Sequence, residues 1–143
     1  MIIREMSLIV AMALSSCASV EVAQADQARK EAVSICDLSR SGSLVEGATA
    51  RIAAVYRTDN SHYSYMANTE CGKEGVLNIG NVDPVSEKSV KEFFDSSDRR
   101  CAEAGTPYIC VLSGKVDADI RIIRDQEGKL AAELVKVHEF SFD

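Results

Sequence analysis

The last third of the chain alternates apolar and polar residues in the way typical of strands half buried in a sheet. From residue 112 to residue 122 the even positions are apolar or glycine, while most odd positions are polar or charged. Residues 124–129 interrupt this pattern as a hairpin connection, in which Gly128 suits a positive φ. Leu130–Phe142 is predicted as the partner strand. Gly114, inside the first of these two strands, predicts a bulge or a sharp bend.

Three shorter strands are predicted earlier in the chain, at residues 48–58, 63–69 and 76–79. Their composition is rich in β-branched and aromatic residues. Turn-forming residues separate them, at positions 59–61 between the first two strands and at positions 71–75 between the second and the third.

Two helical segments accompany the strands. A short helix or turn is predicted near residues 33–38, and a longer helix between the third and fourth strands. The apolar face of the longer helix is formed by four residues at helical spacing: Val90, Phe93, Phe94 and Cys101. Asp83 and Pro84 are predicted to open this helix, and Gly105 and Pro107 to end it.

The resulting order of three strands, a helix and two strands resembles the OB-fold, a five-stranded Greek-key barrel with a helix after its third strand. Residues 35–38, residues 50–56 and Glu70-Cys71 also resemble small exported bacterial OB-like domains of unassigned role. Ala53-Ala54 departs from those domains, which often carry glycine there. The resemblance implies a mainly β domain over residues 32–143. The alternative is another small α+β antiparallel sheet.

The first residues have the pattern of an export signal. Arg4 and the free amine make a thin positive region, which Glu5 weakens, and residues 8–14 are continuously apolar. This run is too short to cross a bilayer as a helix, which takes about 20 residues. It matches the hydrophobic part of a secretory signal. We therefore expect the protein to work outside the bacterial cytoplasm.

Two cleavage sites fit this leader. Leu14-Ser15-Ser16-Cys17 resembles the lipobox of bacterial lipoproteins, which implies a signal peptide of residues 1–16 and lipidation of Cys17 with acyl chains such as palmitate. Ala18 follows the cysteine, which implies the periplasmic side of the outer membrane. The alternative is cleavage after Ala25, at an A-x-A site, which would release a soluble periplasmic protein.

Residues 17–31 read as a tether between this lipid anchor and the domain. They are rich in Ala, Gln, Glu and Asp and have no apolar face wide enough for a core. At about 3.3 Å per residue, such a tether would hold a domain up to about 45 Å from a membrane.

Cysteine usage agrees with export. The chain has five cysteines: Cys17, Cys36, Cys71, Cys101 and Cys110. Either cleavage removes the first from the pool of free thiols, and the even number left predicts two disulfides in an oxidising compartment. Three connectivities are possible, and the most local pairing, Cys36–Cys71 with Cys101–Cys110, is favoured. The chain has no C-x2-C pair of the kind used by zinc and redox sites.

A ligand surface is predicted on strands two and three, flanked by the loops at residues 59–62 and 125–129. The candidate binding residues are aromatic or imidazole side chains: Tyr56, His62, Tyr63 and Tyr65. Such rings stack on a sugar, a peptide side chain or a base. The alternative interpretation is that the tyrosines are ordinary strand residues with half-buried rings.

Other chemistry is not indicated. His62 and His138 are too few and too distant in sequence for a catalytic or metal site. Asp117 and Asp119 share a strand face and could bind Ca²⁺, although a solvated face is favoured. No catalytic or nucleotide motif occurs, so no enzyme activity, cofactor or metal is expected. The formal net charge of −6 opposes nucleic-acid binding.

These observations favour a membrane-anchored envelope lipoprotein that acts as a non-enzymatic binding or assembly module. Its expected partners are the membrane, through the N-terminal lipid, and another envelope protein. Two alternatives remain: a soluble periplasmic binder of a glycan or small ligand, and a structural envelope protein.

Overall fold

The structure, a computed structural model, describes residues 31–80, 85–104 and 110–143. Five strands are present in this part: β1 (Thr49–Thr58), β2 (Ser64–Ala67), β3 (Val76–Ile79), β4 (Leu112–Arg124) and β5 (Leu130–Phe142). Two α-helices accompany them: α1 (Ile35–Arg40) and α2 (Lys88–Glu103). A 3₁₀ segment at Thr69–Gly75 joins β2 to β3.

The strands close into a barrel in the order β1-β2-β3-β5-β4. Neighbours are antiparallel except β3 and β5, which run parallel. Arg57 of β1 pairs directly with Ser113 of β4. In the other direction round the barrel, the chain of paired residues that starts at Arg57 reaches β4 at Ile123, ten residues later. Such a stagger means steeply tilted strands. With α2 between β3 and β4, this is the predicted OB-like barrel.

The core is built by the periodicity of the sequence. In β4 the inner positions are buried and apolar, as the alternation predicts: Val116, Ala118, Ile120 and Ile122. On α2, Val90, Phe93 and Cys101 are buried, whereas Phe94 is only partly so. The Phe93 ring lies 4.8 Å from that of Tyr56, 5.3 Å from that of Phe140 and 5.5 Å from that of Phe142. These rings fasten the helix to the barrel.

Some element boundaries differ from the prediction. β2 ends at Ala67, and the side chain of the next residue, Asn68, bonds to two other segments: its Oδ1 accepts the N–H of Ile35 at 2.8 Å, and its Nδ2 donates to the carbonyl of Ala53 at 3.0 Å. The helix α2 begins at Lys88, later than predicted. A carboxylate oxygen of Glu87 caps it, accepting the N–H of Val90 at 2.9 Å. The predicted opening residues Asp83 and Pro84, and the predicted end at Gly105 and Pro107, lie outside the described residues.

Gly114 pairs in regular register with Tyr56 and Phe142, so the bulge, one of the two predictions made for this position, is wrong. The interruptions of register with β5 lie opposite residues 117–120 instead. A Cβ at Gly114 would lie 2.3 Å from the carbonyl oxygen of Ser141 and 2.8 Å from the ring of Phe142. Glycine is needed because β5 approaches the backbone so closely.

The two predicted disulfides are present. Cys36–Cys71 joins α1 to the 3₁₀ segment, and Cys101–Cys110 joins the end of α2 to the chain that enters β4. Each ties a peripheral element to the barrel, and such bridges are typical of proteins from oxidising compartments. The predictions made for residues 1–30, including Cys17, lie outside the described residues. In the part that is described, neither helix has the length and apolar character needed to traverse a bilayer.

The described chain enters beside β1. Val33 forms a parallel bridge with Ile52, in which the N–H of Val33 donates to the carbonyl of Arg51 and the N–H of Ala53 donates to the carbonyl of Val33. β2 pairs only with the last four residues of β1, Val55–Thr58. The segment around Val33 therefore covers part of the strand edge that β2 leaves unpaired.

Candidate binding site at the β1–β2 loop

The predicted binding residues divide into two groups in the structure. His62 and Tyr63 are exposed on the β1–β2 loop, and Tyr65 is half buried on the outer face of β2. The rings of Tyr63 and Tyr65 lie 5.6 Å apart with an angle of 35° between their planes. Tyr56 is different, because it is 2% exposed and points into the core. The interpretation that Tyr56 shares this surface is therefore corrected.

Thr58 is the first residue that organises the loop. Its buried hydroxyl lies 2.9 Å from the carbonyl oxygen of Tyr63, 2.9 Å from Oγ of Ser64 and 2.9 Å from the N–H of Asn60. A hydroxyl has one donor and two acceptor positions. Donation to Tyr63 and acceptance from Asn60 and Ser64 use all three, so the loop is held across its base.

Asp59 is the second organising residue. Its Oδ1 accepts backbone N–H groups from Ser61 at 2.9 Å, His62 at 2.6 Å and Tyr63 at 3.0 Å. Its Oδ2 lies 3.0 Å from Nδ1 of the His62 ring. Burial raises the pKa of Asp59, but the hydrogen bonds from His62, Ser61 and Tyr63 outweigh it and hold that pKa well below its ordinary value. The carboxylate therefore stays ionised and anchors the loop.

Asn60 supplies the sharp turn between these anchors. Its φ is 60°, and among the described residues it alone has a positive φ without being glycine. Asparagine enters this left-handed region more easily than most residues because its short polar side chain bonds locally. The loop thus reaches its shape without a glycine, so its conformation is narrowly defined.

Two neighbours extend the exposed surface. Arg57 is exposed and pairs across the strands with Tyr65. Val111 is 76% exposed and follows Cys110, whose N–H lies 3.4 Å from the carbonyl oxygen of Asp59. We call the five residues of this region the loop surface: Arg57, His62, Tyr63, Tyr65 and Val111.

The second predicted flanking loop, residues 125–129, leads into β5 beside β3. Ala131 of β5 pairs with Asn78 of β3, and Asn78 pairs with Tyr65 of β2. Adjacent strands are about 4.8 Å apart, so the start of β5 lies about 10 Å from Tyr65. The β4–β5 loop is held by Asp125, whose Oδ1 accepts the N–H groups of Glu127 and Lys129, each at 2.9 Å. Gly128 has the predicted positive φ, 78°.

The remaining candidate side chains form ion pairs. Asp117 accepts Nε and Nη2 of Arg51 at 2.8 and 2.9 Å, and this hydrogen bonding raises the pKa of Arg51. Asp119 lies 2.8 Å from Nε2 of His138, which sits where the register of β5 slips. Sequence reasoning did not find Arg51, which is 66 residues from its partner. Within the described ranges, no group of three or more His, Cys, Asp and Glu side chains could hold a metal ion.

Comparisons of this chain with protein-family models, with curated proteins and with solved structures find no match. The class of the protein therefore rests on its own geometry. It is a disulfide-linked, OB-like barrel that carries an exposed aromatic surface on a loop fixed by internal hydrogen bonds.

Proposed function

We propose that the protein is a non-enzymatic binding module of the bacterial envelope, and that it contacts another envelope protein through the loop surface. The observation that carries this proposal is a buried, ionised Asp59 that fixes the backbone beneath His62 and Tyr63. A surface that is already ordered loses little conformational entropy when a partner binds. Such rigidity is useful in a binding loop.

The composition of the loop surface favours a protein partner. Tyr and Arg are enriched in protein interfaces and among the residues that carry most of the binding energy. Tyr63 and Tyr65 offer two rings, Arg57 a cation and Val111 an exposed apolar side chain. Small-molecule sites are usually concave. The loop surface instead projects, since the side chain of His62 is 80% exposed.

The envelope location is part of the same proposal. The leader, the lipobox-like Leu14-Ser15-Ser16-Cys17 and the two disulfides together support export and anchoring at the periplasmic side of the outer membrane. More than one acyl chain on Cys17 would make the attachment durable. A soluble periplasmic protein cut after Ala25 is the alternative form.

A glycan is the second candidate ligand, because the rings of Tyr63 and Tyr65 lie side by side at 5.6 Å. Neighbouring aromatic faces suit the apolar faces of sugar rings. This candidate predicts saturable binding of envelope glycans that Tyr63→Ala abolishes.

Photocrosslinking tests the protein partner. A photoreactive residue is placed at His62 and, as matched control, at the exposed Gln126 of the β4–β5 loop. We expect one discrete crosslinked protein from position 62, none from position 126, and loss of the product when Tyr63 and Arg57 are both changed to alanine. Equal labelling from both positions, or no product from position 62, would contradict the proposal.

Intact mass of the mature protein tests the anchor. We expect a chain that begins at Cys17 and carries acyl groups, and a Cys17→Ala variant that leaves the membrane fraction. An unprocessed chain in the cytosol with free thiols would overturn the envelope proposal.

A further inference from the structure

A groove of about 390 Å³ lies on the outer face of β1, β4 and β5. Its outward apolar lining includes Ala53 and Val55. Two adjacent rows of paired strand residues border it: Val55 with Lys115 in one row, and Ala53 with Asp117 in the next. Its volume falls within the roughly 300–1,000 Å³ typical of small-ligand sites.

Of the charged side chains that line this groove, one is in an ion pair with another described residue and two are not. Asp117 pairs directly with Glu139 across β4 and β5, and like charges at such positions repel. Arg51 neutralises Asp117 through its two hydrogen bonds. Glu139 takes part in none of the ion pairs found among the described residues, and the same holds for Lys115. The groove therefore presents one carboxylate and one ammonium group to a ligand.

The two residues are close enough for one small ligand to reach both. Lys115 pairs with Ser141, so Lys115 and Glu139 are diagonal neighbours on one face of the sheet. Such neighbours are roughly 7–8 Å apart, and their Cβ atoms are somewhat closer. An extended dipeptide spans about 7 Å between its ends, whereas a single amino acid spans about half of that. A dipeptide is long enough to reach from one side chain to the other.

We propose that this groove binds a short zwitterionic peptide. The ligand amine meets Glu139, the ligand carboxylate meets Lys115, and an apolar side chain lies over Ala53 and Val55. Asn68 closes one side of the groove and is occupied by its bonds to Ile35 and Ala53. This site adjoins the loop surface along β1 but uses different residues, and it does not depend on the partner proposed for that surface.

Titration of the protein, isolated after expression with its own leader, with the dipeptide alanyl-phenylalanine tests the site. The readout is calorimetry together with the backbone amide shifts of Ala53 and Ser141. We expect saturable binding that weakens about tenfold when the amine is acetylated, and about tenfold when the carboxylate is amidated.

Variants assign each contact. Glu139→Gln should abolish the discrimination against the acetylated peptide, and Lys115→Met the discrimination against the amidated one. Lys73→Met and Glu74→Gln, exposed on the 3₁₀ segment, are matched controls and should bind as the parent does. The proposal fails if no shift of Ala53 or Ser141 saturates, if the four variants bind alike, or if the shifts centre on the loop surface.

Discussion

Tyr56 and Thr58 occupy successive inward positions of β1, yet they belong to regions that are held together differently. The ring of Tyr56 packs against Phe93 and Phe142, where contact area and volume decide stability. The hydroxyl of Thr58 and the carboxylate of Asp59 hold the β1–β2 loop, where individual donors and acceptors decide it. Between Tyr56 and Asp59, β1 passes from a packed apolar core to a loop held by polar side chains.

The largest expected effect is in the packed region. Phe93→Ala should lower the free energy of unfolding by about 3–5 kcal/mol, because it removes the ring that several others contact. Phe94→Ala, next to it but only partly buried, is the matched control and should cost clearly less. Urea unfolding measures both. Equal losses would show that Phe93 is not the centre of the cluster.

A smaller effect is expected in the polar region. Thr58→Val conserves volume but removes the hydroxyl, which leaves Asn60 and Tyr63 without their partner at the base of the loop. We expect a loss of about 1–3 kcal/mol. Thr49→Val, exposed at the other end of β1, should stay within about 0.5 kcal/mol of the parent. If both substitutions are neutral in urea unfolding, packing alone holds this loop.

The smallest effect concerns the pH dependence. The pKa of Asp59 is lower in the folded state than its unfolded value of about 3.9. Its ionised form therefore stabilises the protein above the unfolded pKa, and this contribution is lost as the pH falls toward the folded pKa.

As the pH is lowered from 5 to 2, the free energy of unfolding should therefore fall less steeply for Asp59→Asn than for the parent. Urea unfolding curves recorded at intervals of about one half pH unit measure this fall. Asp98→Asn, on the exposed side of α2, is the matched control and should keep the parental slope. Parallel curves for Asp59→Asn and the parent would contradict the role of this carboxylate.

The sequence predicted the features that follow from the alternation of apolar residues and from the number of cysteines. The bounds of β3 and β5 agree with the prediction, and so do the two disulfides. The inward direction of Tyr56 was also within reach, because it continues the alternation of the buried residues Ile52 and Ala54.

Contacts between distant parts of the chain were not predictable in this way. Position 114 needs glycine because the carbonyl of Ser141, on another strand, lies so close to it. Asp117 is paired because Arg51, also on another strand, donates hydrogen bonds to it. The hydrogen bonds of the Asp59 carboxylate are local, but they depend on the positive φ of Asn60 and on the direction of the carboxylate. The periodicity of apolar residues predicts neither the φ nor this direction.

The bridge between Val33 and Ile52 has a consequence for handling the protein. A chain trimmed to start at Ser34 would leave the carbonyl of Arg51 and the N–H of Ala53 without their partner. Open strand margins of this kind recruit strands from other molecules. We therefore expect the shortened protein to associate in concentrated solution, and the protein that retains the residues around Val33 to associate less.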